Sequence, residues 1–160
     1  MKFRLTSALA GLLVGLILAG GACTPIDNDP VRPVSFETID KGFSSGIEIE
    51  EQIVIERVAD WEALWTEHMA LRSPVPELPE LNFTRVTVIA IFSGLKSTGG
   101  YAVEIKEIAT TNSEINVIYK VTEPGPDDMV TEAETQPFHI IKIERGAPLP
   151  VVFSREIEEP

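Results

Sequence analysis

Hydrophobic and polar residues alternate along much of the segment 34–154, and this period of two is typical of β-strands. The pattern predicts seven strands, which in chain order cover 34–39, 46–58, 85–92, 101–109, 114–121, 137–143 and 150–154. The run 85–92 becomes apolar on both faces, which favours a central strand. The runs 101–109 and 114–121 flank a short turn and predict a hairpin.

One segment, 61–71, has helical spacing instead. Its apolar face repeats every three or four residues and consists of Trp61, Leu64, Trp65, His68 and Leu71. Asp60 is expected to cap this helix, and a proline-rich loop over 72–79 ends it. Since strands and helices do not alternate and no repeat occurs, we expect an α+β fold over 35–160. This single domain would be a mainly antiparallel β-sheet or sandwich with one conspicuous amphipathic helix.

The first 22 residues have the pattern of a secretory signal peptide. Lys2 and Arg4 precede an apolar run over 8–19, and small residues lead to Cys23. This arrangement resembles the lipobox of bacterial lipoproteins, in which the cysteine thiol receives diacylglycerol and the leader is cleaved before it. Gly20 departs from the leucine that is usual three positions before the cysteine. Two alternatives stay open, an ordinary leader with an unmodified thiol and an uncleaved span, although a span needs roughly 20 apolar residues.

Residues 23–34 are interpreted as the lipidated cysteine followed by a tether. The segment 24–33 contains three prolines and two aspartates, and such a composition does not form a packed element. We expect it to hold the domain away from the bilayer as an extended spacer. The alternative is an N-terminal arm that packs on the domain.

The chain carries a large negative charge, which excludes some classes of binding partner. The formal net charge is −12, and removal of a leader with two basic and no acidic residues leaves 11 Lys and Arg against 25 Asp and Glu, or −14. Such a surface repels phosphate backbones and anionic headgroups, so no nucleic acid is expected as a partner. The membrane would be reached through lipid on Cys23. Because Cys23 is the only cysteine, a modified thiol leaves neither a disulfide nor a thiolate site.

No residue pattern identifies a catalytic or metal site. His68 and His139 lie on apolar faces of predicted elements and are expected to be packed and hydrogen-bonded. A dense acidic stretch could supply oxygen ligands to calcium, but its spacing is not that of an EF-hand, and a solvated loop is favoured; its members are Asp127, Asp128, Glu132 and Glu134. We therefore assign no catalytic residue and no cofactor. A hydrolase site assembled from carboxylates and one of the histidines stays open as an alternative.

Two motifs in the second half carry a family resemblance. The first is Ser-Thr-Gly-Gly-Tyr-Ala-Val-Glu-Ile over 97–105; the second is Pro-Gly-Pro at 124–126, Met-Val-Thr at 129–131 and Pro-Phe-His-Ile-Ile-Lys-Ile over 137–143. Together they resemble the PrcB C-terminal domain family of bacterial exported proteins and lipoproteins, across roughly 85–155. Many members have a cysteine within the Pro-Gly-Pro loop, where this chain has Asp128. The family is named after a lipoprotein associated with a subtilisin-like cell-surface protease.

The resemblance implies a lipid-anchored, non-catalytic accessory or binding protein of the cell envelope and, as its partner, an exported protease. Loops on a rigid scaffold often bind partners, so we expect two adjacent loops to form a contact surface. Its candidate residues are Thr98, Gly99, Gly100, Tyr101, Pro124, Gly125, Pro126 and Met129. An inhibitor that presents one loop to a protease is a further alternative. Export and membrane anchoring are expected, while the choice between outer membrane, inner membrane and cell surface stays open.

Overall fold

The computed structural model describes residues 30–156, which form two four-stranded sheets and one helix. All seven predicted strands are present, together with a two-residue strand at the N-terminal side, and the expected α+β sandwich-like fold is confirmed. The elements are β1 Arg32–Pro33, β2 Phe36–Gly42, β3 Glu50–Ile55, α1 Val58–His68, β4 Val86–Ser93, β5 Ala102–Thr110, β6 Ile115–Thr122, β7 Phe138–Glu144 and β8 Val151–Arg155.

The strands form a sheet in the order β1-β5-β6-β8 and a second in the order β2-β7-β4-β3. Neighbouring strands are antiparallel except β6 and β8, which are parallel. The predicted hairpin is formed by β5 and β6. Strand β4 lies between β3 and β7, so its predicted central place is confirmed.

The second sheet is the middle layer of the molecule. One of its faces packs against α1, where Phe92 and Phe138 meet Trp61 and Trp65 in one apolar cluster. The other face packs against the first sheet through a separate cluster that includes Ile89 and Ile141. Alternate residues of β4 and β7 therefore serve two cores, which explains why these strands are apolar on both faces.

The helix begins and ends earlier than the sequence predicts. It begins at Val58, and Arg57 occupies the cap position without a side-chain cap. Asp60 therefore does not cap the helix; its carboxylate lies in the first turn and pairs with Arg57 at 2.7 Å, where a negative charge suits the helix dipole. The helix ends at His68, so Leu71 lies beyond it and is exposed.

The predicted strand 46–58 is shortened at both of its ends. Only Glu50–Ile55 is a strand, because the preceding residues pack on the end of α1 instead. The Gly46 amide donates to the His68 carbonyl oxygen at 2.9 Å, and a Cβ at Gly46 would lie 2.1 Å from the Glu67 carbonyl oxygen. Close approach of two backbones, which only glycine permits here, overrides the alternating pattern.

The chain joins the sandwich through β1. Arg32 and Pro33 pair with Thr110 and Ala109 at the end of β5, and the Val34 amide donates to the Ile108 carbonyl oxygen at 2.8 Å. The last residues of the expected tether therefore pack on the domain, as in the alternative of an N-terminal arm.

Residues 1–29, with the predicted leader and Cys23, lie outside the described residues. Within 30–156, no helix is long and apolar enough to cross a bilayer.

Candidate functional site

Three connecting loops meet at one end of the sandwich. The strand register pairs Glu50 with Ser93 and Phe92 with Phe138, which places the end of β4 beside the beginnings of β3 and β7. Ala102 pairs with Thr122, so the β4–β5 and β6–β7 connections also emerge side by side. We call the segments 43–49, 94–101 and 123–137 together the loop end.

The two sequence motifs come into direct contact at the loop end. The Gly99 amide donates to the Thr131 carbonyl oxygen at 2.9 Å. Gly100 has a φ of 88°, and a Cβ there would lie 2.9 Å from side-chain atoms of both Pro124 and Val130. The predicted Thr98–Tyr101 and Pro124–Met129 loops therefore lie against each other, and glycine is needed for both the dihedral angle and the space.

Further hydrogen bonds fix the long β6–β7 loop. Lys96 and Thr135 exchange backbone hydrogen bonds of 2.8 and 2.9 Å, and the Thr135 hydroxyl donates to the Thr98 carbonyl oxygen at 2.9 Å. The Gly125 amide donates to the Asp128 carboxylate at 2.7 Å, which closes a turn around Pro126. Segment 127–136 contains no helix and is a loop, as expected for its acidic stretch.

A small apolar cavity opens where the loops meet. It has a volume of about 350 Å³, and its lining comes mainly from the first motif. The lining residues are Phe43, Gly99, Gly100, Tyr101, Ala102, Thr131 and Thr135. Three of them were predicted as contact residues. Phe43, which is 58% exposed, was not predicted as a contact residue. The sequence feature that could have indicated it is a large aromatic residue within a turn-forming stretch of glycine and serine.

The loop end also concentrates exposed apolar and acidic side chains. Phe43, Ile49, Leu95 and Met129 are exposed there, and Met129 fully so. The three loop segments contain six carboxylates, counted as Glu48, Glu123, Asp127, Asp128, Glu132 and Glu134, against the single cation of Lys96. Whether the predicted residues contact a partner stays a prediction, and the surface on which they would do so is apolar with an acidic rim.

His68 is the centre of a buried polar network below the loop end. Its Nδ1 lies 2.9 Å from the Ser45 hydroxyl, and its Nε2 donates to the Asp40 carboxylate at 3.1 Å. Arg72 also pairs with Asp40, at 3.0 Å. Burial raises the pKa of Asp40, but the hydrogen bond from His68 and the Arg72 charge outweigh it and hold that pKa below its usual value.

His139 is fixed equally well on the other face of the middle sheet. Its Nδ1 accepts the Ile105 amide at 2.9 Å, so its Nε2 carries the proton and donates to the Thr38 hydroxyl, also at 2.9 Å. Burial, helped by the positive charge of Lys41, lowers the pKa of His139 to about 4. The neutral ring is thus part of the packing between the sheets.

These contacts weigh against a hydrolase site at either histidine. His68 does contact a carboxylate, as that alternative requires, and Ser45 completes a serine–histidine–aspartate set. Ser45 and His68 are both 0% exposed, however, and the Ser45 hydroxyl already accepts the Ile47 amide at 3.1 Å. A nucleophile must be accessible to substrate, so this set stabilises the fold. Within 30–156, no three potential ligand side chains lie together as a metal site.

The family model described as PrcB C-terminal matches residues 87–144, a range that runs through β4, β5, β6 and β7 and contains both motifs of the loop end. No match was found among curated proteins or among solved structures. The resemblance read from the sequence is thereby confirmed for residues 87–144, which are similar to the PrcB C-terminal family.

Proposed function

We propose that this protein is a lipid-anchored accessory subunit of an exported protease complex and that it binds its partner through the loop end. The family match points to a protein associated with a protease complex. The accessory role is supported by the burial of both histidines, which leaves the exposed chemistry of the loop end as the means of interaction.

The observation that carries the proposal is that the N-terminal segment and the loop end lie at opposite ends of the domain. The N-terminal segment enters the fold at Arg32, which pairs with Thr110 at one end of β5. The loop end lies beyond Ala102, at the other end of this strand. A strand of nine residues separates these ends by about 25 Å. An anchor at Cys23 would thus hold the β1 side towards the bilayer and leave the loop end facing away from it, accessible to another envelope protein.

Photocrosslinking in the native membrane tests this proposal. A photoreactive amino acid at Met129 should give a crosslinked product that contains an exported protease or another subunit of its complex. The matched control carries the same group at Val58, which is also exposed but lies at the opposite end, beside the start of α1. Recovery of uncrosslinked monomer from both positions, or equal products from both, would contradict binding through the loop end.

The exposure of Met129 favours one second candidate, a protease inhibitor. The side chain is fully exposed on a loop that is fixed on both sides, by Asp128 against Gly125 and by Val130 against Gly100. A fixed, protruding side chain suits insertion into a protease pocket, since little conformational freedom is lost on binding. Added protein would then lower peptidase activity, and Met129→Asp would abolish this effect; an accessory subunit leaves activity unchanged or raises it.

A further inference from the structure

The cavity at the loop end has the properties of a pocket for a single side chain. Its volume of about 350 Å³ lies at the small end of the roughly 300–1,000 Å³ of ligand pockets. Its lining includes two glycines, Gly99 and Gly100, and two aromatic residues, Phe43 and Tyr101. This lining suits an aromatic or branched apolar group.

The pocket is formed before any partner binds. The polar groups around it already bond to one another, since Gly99 donates to Thr131 and Thr135 donates to Thr98. The Phe43 carbonyl oxygen accepts the Gln136 amide at 2.8 Å, which fixes the backbone of the β2–β3 loop against the β6–β7 loop. A preformed site requires little ordering on binding, so even one inserted side chain contributes measurable affinity.

The charge around the pocket restricts what can carry that side chain. In the sequence, Glu132 follows Thr131 and Glu134 precedes Thr135, both of which line the pocket. The Asp128 carboxylate accepts the Gly125 amide in the neighbouring turn. Lys96 is the one cation of the three loops, and its ammonium lies over the Tyr101 ring at 5.6 Å. The formal charge of the three loops is therefore negative, which favours a basic segment over an acidic one.

We infer that the pocket binds an apolar side chain, preferably aromatic, presented by a basic segment of the partner protein. The inference rests on the proposed function and deepens it, because it states the chemistry of the partner at the loop end. The apolar side chain enters between Phe43 and Tyr101, and flanking Lys or Arg residues lie against the acidic rim.

The tyrosines of the chain allow a direct test on the full-length protein in detergent. There are only two, Tyr101 in the pocket and Tyr119 in the core between the sheets. With 3-fluorotyrosine incorporated, 19F NMR follows titration with three capped tripeptides, Lys-Phe-Lys, Lys-Ala-Lys and Glu-Phe-Glu. We expect Lys-Phe-Lys to shift the Tyr101 signal saturably, with a Kd on the order of 1 mM. The Tyr119 signal should stay in place, and the other two peptides should bind at least about tenfold more weakly.

Matched charge variants complete the test. E132Q/E134Q should weaken Lys-Phe-Lys binding roughly three- to tenfold. The control E62Q/E67Q, which removes the same two charges from the exposed face of α1, should leave it unchanged. Absence of a saturable Tyr101 shift, equal binding of Glu-Phe-Glu, or equal effects of the two variants would overturn the inference. None of these results alters the crosslinking at Met129, so failure of the pocket and failure of the accessory function are distinguishable.

Discussion

Thr38 and Asp40 lie two residues apart on β2, yet their side chains bind histidines on opposite faces of the sheet. Thr38 contacts His139 at 2.9 Å between the two sheets, and Asp40 contacts His68 at 3.1 Å on the side of the helix. In a regular strand, residues two apart share a face. The register of β2 with β7 shifts between these residues, and Ile39 is the extra residue of a β-bulge. The bulge redirects Asp40 towards the helix.

The consequence is that one strand connects three layers next to the loop end. His139 binds Ile105 of the first sheet, while His68 binds Ser45 in the β2–β3 loop. Both networks lie within a few residues of Gly42, where β2 ends. We interpret the two histidines as fixing the base on which the loop end is built.

The first prediction concerns the buried carboxylate. Asp40→Ala should lower the free energy of unfolding by about 2–4 kcal/mol, because it leaves the Nε2 of the buried His68 and one guanidinium contact of Arg72 without an acceptor. The control is Asp60→Ala, which removes a surface ion pair with Arg57 and should cost less than about 1 kcal/mol. Denaturant unfolding at pH 7 measures both, and equal losses would show that the Asp40 network does not stabilise the fold.

The second prediction is a pH dependence that belongs to His139. Its pKa is about 4 in the folded protein and near 6.5 in the unfolded chain, so the unfolded state binds more protons between these values. Stability should therefore fall as the pH drops from about 6.5 to 4, by up to about 3 kcal/mol. In His139→Gln, the glutamine side-chain amide can still accept from the Ile105 amide and donate to the Thr38 hydroxyl, but it does not titrate. The part of the pH dependence of stability that is due to His139 should therefore disappear. Denaturation series at pH 7, 6, 5 and 4.5 provide the comparison; an unchanged slope would assign the effect to other groups.

Much of this architecture follows from local patterns. Strand β4 is apolar on both faces because it serves two cores, and the hairpin of β5 and β6 follows from two alternating runs around a turn. The burial of His68 and His139 was likewise predicted from their apolar neighbours. These features depend on residues close in sequence, for which periodicity is a sufficient guide.

Features that depend on tertiary contacts were missed. Nothing in the sequence around Ile39 indicates a bulge. The bulge allows Asp40 to reach His68, which lies 29 residues beyond Ile39 in the chain. The alternating residues 46–49 are not part of β3, because Gly46 packs on α1. Phe43 becomes a pocket wall only when the β2–β3 loop meets Gly100 and Tyr101.

The third prediction concerns the glycine at the centre of the loop contact. Gly100→Ala should destabilise the protein by about 1–3 kcal/mol, because its φ of 88° disfavours a side chain and a Cβ would press on Pro124 and Val130. Gly146→Ala is the matched control, since a Cβ there meets nothing within 4 Å. Thermal unfolding compares the two. If both variants unfold at the same temperature, the close contact of the two motifs contributes nothing to stability.

The fourth prediction concerns Cys23, the only thiol in the chain. Mass spectrometry of the mature protein should find an amino terminus at Cys23 that carries diacylglycerol. Because the leader is cleaved before the modified cysteine, Cys23→Ser should lack the lipid and keep its leader. Diacylglycerol supplies two acyl chains, which give a stable anchor where a single chain holds a protein only reversibly. The control is Thr24→Ser, which keeps the thiol and should keep the lipidated amino terminus. An intact leader with a free thiol in the wild-type protein, or a Cys23→Ser protein that is still cleaved at the same bond, would contradict lipid anchoring, and the loop end would then need another means of being held near its partner.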